Sequence, residues 1–104
     1  MTITRTDVGS KTVFQLAGAF DADGAEQFRK ELKRLHNRVG ELVCDMTSVQ
    51  YVTSAGLRAL LAAQKKMSQK GSLRLINVGG SVWNTLELRG FEDILYIDRA
   101  DEGD

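Results

Sequence analysis

The sequence predicts an α/β fold: a mixed β-sheet, built from an N-terminal hairpin plus parallel strands, with helices packed on it. Three observations predict it. Two short β-branched runs, Thr2 to Thr6 and Thr12 to Ala17, flank a Gly9-Ser10 turn. Apolar residues then recur at helical spacing in two separate stretches, with cationic residues between them. Between those stretches lies a nearly continuous apolar run, Leu42 to Met46, as in a strand covered by helices. The resulting order is ββαβαβαβ. Its later strand–helix–strand units need right-handed crossovers, and hence a locally parallel sheet. A chain of 104 residues makes one domain, 1–104.

Each element has its own signal. Val13, Phe14 and Leu16 make the second strand β-prone, and the Gly9-Ser10 turn makes a hairpin the economical connection. The first helix is expected to begin near Asp23, which has capping-box spacing to Glu26. Ala25, Phe28, Leu32 and Leu35 form its apolar stripe, Arg29, Lys30, Lys33 and Arg34 its solvated face, and Gly40 its terminator. After the Leu42–Met46 strand, a loop is expected over Thr47 to Thr53. The second helix then starts about Ser54, carries Leu57, Leu60, Leu61 and Met67 inward, and closes at Lys70-Gly71. Leu73, Leu75 and Ile76 suggest the next strand. Gly79-Gly80-Ser81 leads into a short third helix with Val82, Trp83 and Leu86, ended by Gly90, and Ile94 to Ile97 forms a last short strand. The acidic residues 98–104 are expected to be a flexible tail.

Composition excludes several functions. With 14 basic and 14 acidic side chains the formal net charge is zero, so no cationic excess drives binding to nucleic acid or anionic lipid. No apolar stretch is long enough to span a bilayer, and the N-terminus lacks an apolar leader core, so a cytoplasmic location is expected. One Cys and one His build neither an internal disulfide nor a structural zinc site, so no metal or cofactor is expected.

The informative segment runs from Asp45 to Leu57. A strand ends in an acid, a polar stretch follows, and Thr53-Ser54 stands where a helix starts. Ser54 suits an N-cap, where its hydroxyl accepts from a first-turn amide. Gly56, inside the first turn, permits close backbone approach but weakens the helix. A phosphate on Ser54 would add nearly two negative charges beside the positive end of the helix dipole, which tolerates them. The fold would survive while a neutral surface became dianionic. That is the chemistry of a switch.

At these residues the sequence resembles the STAS domain family, in particular bacterial anti-sigma factor antagonists. Their pattern is a strand ending Asp-Leu-Ser and then Asp-Ser-Ser-Gly-Leu opening a helix. Asp45-Met46-Thr47 and Thr53-Ser54-Ala55-Gly56-Leu57 stand in those places. Gly18-Ala19-Phe20-Asp21 matches the family's Gly-Glu-Leu-Asp, and Gly79-Gly80-Ser81 its later helix start. The resemblance spans about Val13 to Ile97. It implies a binding module and not an enzyme. Its unphosphorylated form would bind an anti-sigma factor that is also a Ser/Thr kinase, and so free a sigma factor. Phosphorylation would end the interaction, and a metal-dependent Ser/Thr phosphatase would restore it. Carried over, Ser54 is the phosphoacceptor, Asp21 belongs to the neighbouring docking loop, and Thr53, Ala55, Gly56, Leu57 and Arg58 complete the partner-facing segment. Thr53 replaces the usual acid and brings a second hydroxyl, an alternative site of modification. The resemblance equally admits a STAS subunit without a phosphorylation switch, held permanently in a lipid-transport ATPase or sensory scaffold.

Plainer roles stand beside these. Ser54 as a simple cap is worth about 1 kcal/mol. Asp21 also suits an Asx-turn or a shared cap, and Asp45 suits a strand-end acid that orients the Thr47 backbone. Cys44 reads as a small core residue, His36 as a cation near a helix C-terminus, and Trp83 as core. Val52-Thr-Ser-Ala-Gly56 lacks the first glycine of a nucleophile elbow, and Gly79-Gly80-Ser81 lacks a P-loop lysine.

Overall fold

The computed structural model describes residues 1–100. Strands β1 (Thr2–Val8) and β2 (Lys11–Phe20) form the expected hairpin, with Thr2 opposite Ala17 and Val8 opposite Lys11. Gly9 has a positive φ of 61° and Ser10 does not, the arrangement a type II′ turn asks for. Helix α1 (Ala22–Lys33), strand β3 (Glu41–Val52), helix α2 (Ser54–Ser68), strand β4 (Ser72–Val78), helix α3 (Gly80–Leu88), a 3₁₀ turn (Phe91–Asp93) and strand β5 (Tyr96–Arg99) follow.

The sheet order is β1-β2-β3-β4-β5. Only β1–β2 is antiparallel, and every later pair is parallel. Each strand therefore pairs with its successor, always stepping the same way, and right-handed crossovers place all three helices on one face. Burial follows that asymmetry. Phe14, Leu16, Leu42, Cys44, Leu73 and Leu75 are buried towards the helices, while Gln15, Arg74 and Tyr96 are exposed on the far face. Phe28 of α1 packs edge-on against Phe14 (centroids 5.9 Å apart) and at 5.3 Å from Phe20, tying α1 to β2. Helix α2 holds the end of α1: Lys66 Nζ donates to the Leu32 carbonyl at 2.7 Å and Lys70 Nζ to the His36 carbonyl at 3.4 Å. Both carbonyls also accept a backbone amide, from Leu35 and Val39, and the Lys66 cation complements the dipole at the C-terminus of α1.

Several boundaries differ from the sequence reading. The cap of α1 is Asp21 and not Asp23, and α1 ends at Lys33, well before Gly40. Glu26 does not complete a capping box; its carboxylate lies 3.8 Å from Lys30 Nζ on the exposed face. The loop expected over Thr47 to Thr53 is strand up to Val52. Its β-branched and aromatic residues (Thr47, Val49, Tyr51, Val52) pair with an equally extended β2, and register shifts at Gln15/Ala17 and Gly18/Ala19 keep the two strands alongside. Ile94 precedes β5, because the chain first makes the 3₁₀ turn. The tail expected from Asp98 is not seen over 98–100: Asp98 and Arg99 lie in β5, and the Ala100 amide donates to the Val78 carbonyl at 2.8 Å. The remainder of that tail, 101–104, lies outside the described residues.

Candidate functional site

Parallel strands that end side by side release their chains side by side. Phe20 closes β2 opposite Val52, which closes β3. The next residue of each chain caps a helix. Asp21 Oδ1 accepts from the Gly24 amide at 3.0 Å at the start of α1. At the start of α2, Thr53 Oγ1 accepts from the Gly56 amide at 3.5 Å. The two starts are tied together: the Thr53 amide donates to the Phe20 carbonyl at 3.0 Å, and the Thr53 hydroxyl donates to the same oxygen at 3.3 Å. Asp21 and Thr53-Ser54, 32 or more residues apart in sequence, thus share one corner at the carboxyl ends of the strands.

Two glycines let this corner close. A Cβ on Gly56 would lie 2.9 Å from both the Phe20 ring and Val52 Cγ1, and closer still to the Phe20 carbonyl oxygen. A Cβ on Gly24 would lie 2.7 Å from the Ala19 carbonyl oxygen. Gly56 therefore does more than weaken its helix: it seats α2 on the end of β2.

With Thr53 as the cap, Ser54 is released from that duty. It is the first residue of α2, exposed, and its hydroxyl is hydrogen-bonded to no described residue. The first turn of α2 contains no acid. Ser54 opens onto a cleft of about 250 Å³ lined by Leu57, Arg58, Leu61, Arg89 and Phe91. Of the segment singled out in the sequence, Ser54 and Arg58 are exposed, Asp21, Thr53 and Ala55 half-buried, and Gly56 and Leu57 buried. Gly56 positions the site and presents no surface, and Leu57 contributes only a wall of the cleft. Arg89 and Phe91 escaped the sequence reading because they reach the cleft from beyond α3, and no short-range spacing announces such a meeting.

Other candidates fall elsewhere. Asp45 stands seven residues before Val52 on an extended strand, about 23 Å away along it. Its Oδ1 accepts from the Thr47 amide (3.0 Å), the Thr47 hydroxyl (2.6 Å) and Asn77 Nδ2 (3.2 Å). Partial burial pushes the Asp45 carboxyl up, but these hydrogen bonds outweigh it and hold the group below the ordinary carboxylate range. Asp45 orients Thr47 as expected, but from inside β3 and not from a strand end, because the strand runs on to Val52. Asn77, at φ 56°, occupies the left-handed region that Asn tolerates better than most residues. Cys44 is fully buried, and burial drives its thiol pKa far upward. His36 Nδ1 accepts from the Arg38 amide at 3.0 Å. Trp83 is half-buried, with the Arg99 guanidinium 4.9 Å from its ring centre. Among the described residues, no three His, Cys, Asp or Glu side chains cluster as metal ligands, and no helix is long and apolar enough to cross a membrane.

Comparison with known proteins agrees with this architecture. The family model described as Mlab, STAS domain, matches residues 3–96. The anti-sigma factor antagonist BtrV of Bordetella bronchiseptica is 30% identical over 105 residues, covering 98% of this chain and 90% of that one. The anti-sigma-B factor antagonist of Bacillus subtilis is 29% identical over 89 residues, covering 85% and 82%. Among solved structures, the anti-sigma factor antagonist SpoIIAA in its unphosphorylated form superposes with a TM-score of 0.75 over 97% of this chain and 91% of that one. At 17% identity this last likeness speaks for the fold alone.

Proposed function

The chain belongs to the STAS domain family, and from that premise we propose that it is an anti-sigma factor antagonist switched by phosphorylation at Ser54. The unphosphorylated protein binds an anti-sigma factor with Ser/Thr kinase activity in the cytoplasm and so frees a sigma factor. The kinase transfers the terminal phosphoryl group of ATP to Ser54 Oγ, releasing ADP and the hydroxyl proton, and the modified protein no longer binds. A metal-dependent Ser/Thr phosphatase hydrolyses the ester and returns the hydroxyl. The chain itself is a binding module and not an enzyme.

The observation that carries this reading is the division of labour between neighbouring hydroxyls. Thr53 is half-buried and engaged both as donor and as acceptor, whereas Ser54 is exposed beside it and unengaged. Modification of Thr53 would cost the cap of α2, while modification of Ser54 costs the fold nothing. The partner meets Ser54 and Arg58 with the flanking Asp21, Thr53 and Ala55. Phosphopeptide mass spectrometry on protein from its native cells, growing and starved, tests this. Trypsin releases the peptide 39–58, and fragmentation separates Thr53 from Ser54. Phosphate on Ser54 that varies with growth state is expected. A peptide unmodified in every condition would overturn the switch.

A second reading is a STAS subunit bound permanently within a larger assembly, such as a lipid-transport ATPase or sensory scaffold. It is favoured by Thr53 standing where the antagonist pattern has an acid. Stable copurification with an ATPase, undisturbed by Ser54→Ala, would put it first.

A further inference from the structure

We infer that Arg58 and Arg89 form a built-in acceptor for the phosphate on Ser54, so that the modified serine is held by its own protein. The inference rests on Ser54 as the modified residue and adds what becomes of the phosphate once attached. Arg58 lies four residues after Ser54 on α2, hence on the same helix face one turn along. Arg89 follows the last residue of α3 and lines the same cleft from the other side. The remaining walls are Leu57, Leu61 and Phe91, and no acid lines the cleft. Neither arginine forms an ion pair within 4.0 Å or donates a side-chain hydrogen bond to another described residue, which also holds for Arg29, Arg38 and Arg99, while Arg5, Arg34 and Arg74 each have a carboxylate partner.

Two guanidinium side chains without a carboxylate, lining one cleft with a free hydroxyl and three apolar side chains, are mismatched to the unmodified serine and matched to its phosphate ester. A planar guanidinium offers paired N–H donors that fit phosphate oxygens, and a dianion needs two such charges for neutrality. Phosphorylation would therefore turn the cleft from a site with two unpaired cations into a filled, neutral one. The switch then acts by withdrawing two arginines from the surface as well as by adding bulk. It also explains how a neutral chain carries a dianion without spreading a negative field across its binding face.

The test is direct. Protein with phosphoserine genetically encoded at residue 54 is titrated by ³¹P NMR as the wild-type background, as Arg58→Gln, as Arg89→Gln and as the double variant. Cations beside a phosphate favour its dianion, so its second ionisation should fall below the ordinary value of about 6. The wild-type background is expected to titrate about half a pH unit or more below the double variant, with each single variant in between. Both arginines are exposed, so the unphosphorylated variants should melt as the wild type does, which separates loss of the acceptor from loss of the fold. Equal midpoints in the wild-type background and the double variant would overturn the inference, as would an Arg89→Gln protein indistinguishable from wild type. Failure of the proposed switch has a different signature: the peptide 39–58 would be unmodified in cells while the encoded phosphoserine still titrated low.

Discussion

Gly56 decides whether α2 can sit on the end of β2. Alanine is the better helix former by about 1 kcal/mol, so in an isolated helix Gly56→Ala would stabilise. Here its methyl group would meet the Phe20 ring and Val52 at 2.9 Å and press on the Phe20 carbonyl, a backbone atom that cannot swing aside. Overpacking of this kind costs about 1–3 kcal/mol, and more where backbone must move. Gly56→Ala should therefore lower the urea midpoint, and an unchanged or higher midpoint would show the contact to be yielding. Thr53→Ala should cost about 1 kcal/mol through the lost cap, while Ser54→Ala at the next position should cost almost nothing. Equal losses in the two thermal melts would return Ser54 to a capping role. At Asp45 the folded carboxyl is held below its ordinary range. The sign follows from linkage: the stabilisation is present above the unfolded-state value near 3.9 and is lost as the pH falls through the lower folded value. The melting difference between wild type and Asp45→Asn should accordingly shrink as the pH is taken from 5 towards 2.5. A difference that grew on acidification would reverse that assignment.

At the scale of elements, the crossing of two connections fixes where β3 and β4 begin. The Gly71 amide donates to the Met67 carbonyl at 2.7 Å as α2 ends, and the Ser72 amide then donates to the Gly40 carbonyl at 2.9 Å. A Cβ on Gly71 would run into that Gly40 carbonyl and lie 3.0 Å from Gly40 Cα. Gly71→Ala should thus displace the Glu41–Ser72 start of the β3–β4 ladder, lowering the melting temperature and exposing the amides of 72 and 73 to hydrogen exchange. Normal protection there would refute it. Gly71 was legible in the sequence as a helix stop, but its backbone neighbour was not, because Gly40 is distant in the chain. The same limit explains the other differences. Local pattern found the three helices and five strands, by helical period for α1 and α2, a continuous apolar run for β3 and β-branched, alternating or glycine signals for the rest, though not the 3₁₀ turn. It could not see that Asp21, two residues before Asp23, reaches the Gly24 amide in the first turn of α1, nor that β2 and β3 run on together past Met46. Capping depends on one residue's backbone angle, and strand length depends on a partner strand, so local pattern is silent on both. The Ser54 segment could be read because it is contiguous, whereas Arg89 and Phe91 join it only through the packing of α3.

For the molecule as a whole, the question is whether a charge at Ser54 acts on the surface or by loosening the fold. Cys44 provides the gauge. It lies in the middle strand of five, fully buried, with Phe14 in register on one side and Leu75 on the other. Only the thiolate attacks a disulfide reagent, and burial drives the Cys44 thiol far from ionising at neutral pH. No minor movement of a helix brings the sulfur to water, since it faces the single core shared by all three helices. Labelling should therefore require opening of the whole domain, at a rate set by the unfolding equilibrium. Phe28→Ala removes the ring that packs on Phe14 and Phe20 and should cost about 3–5 kcal/mol. At 1.4 kcal/mol per tenfold, Cys44 labelling should then rise by two to three orders of magnitude or more, provided the variant still folds. Ser54→Asp should leave the labelling rate where it was, because the charge sits on an exposed first turn that favours anions. If Ser54→Asp accelerated labelling as a core substitution does, the signal would travel by unfolding, and the surface switch would be the wrong mechanism for this protein.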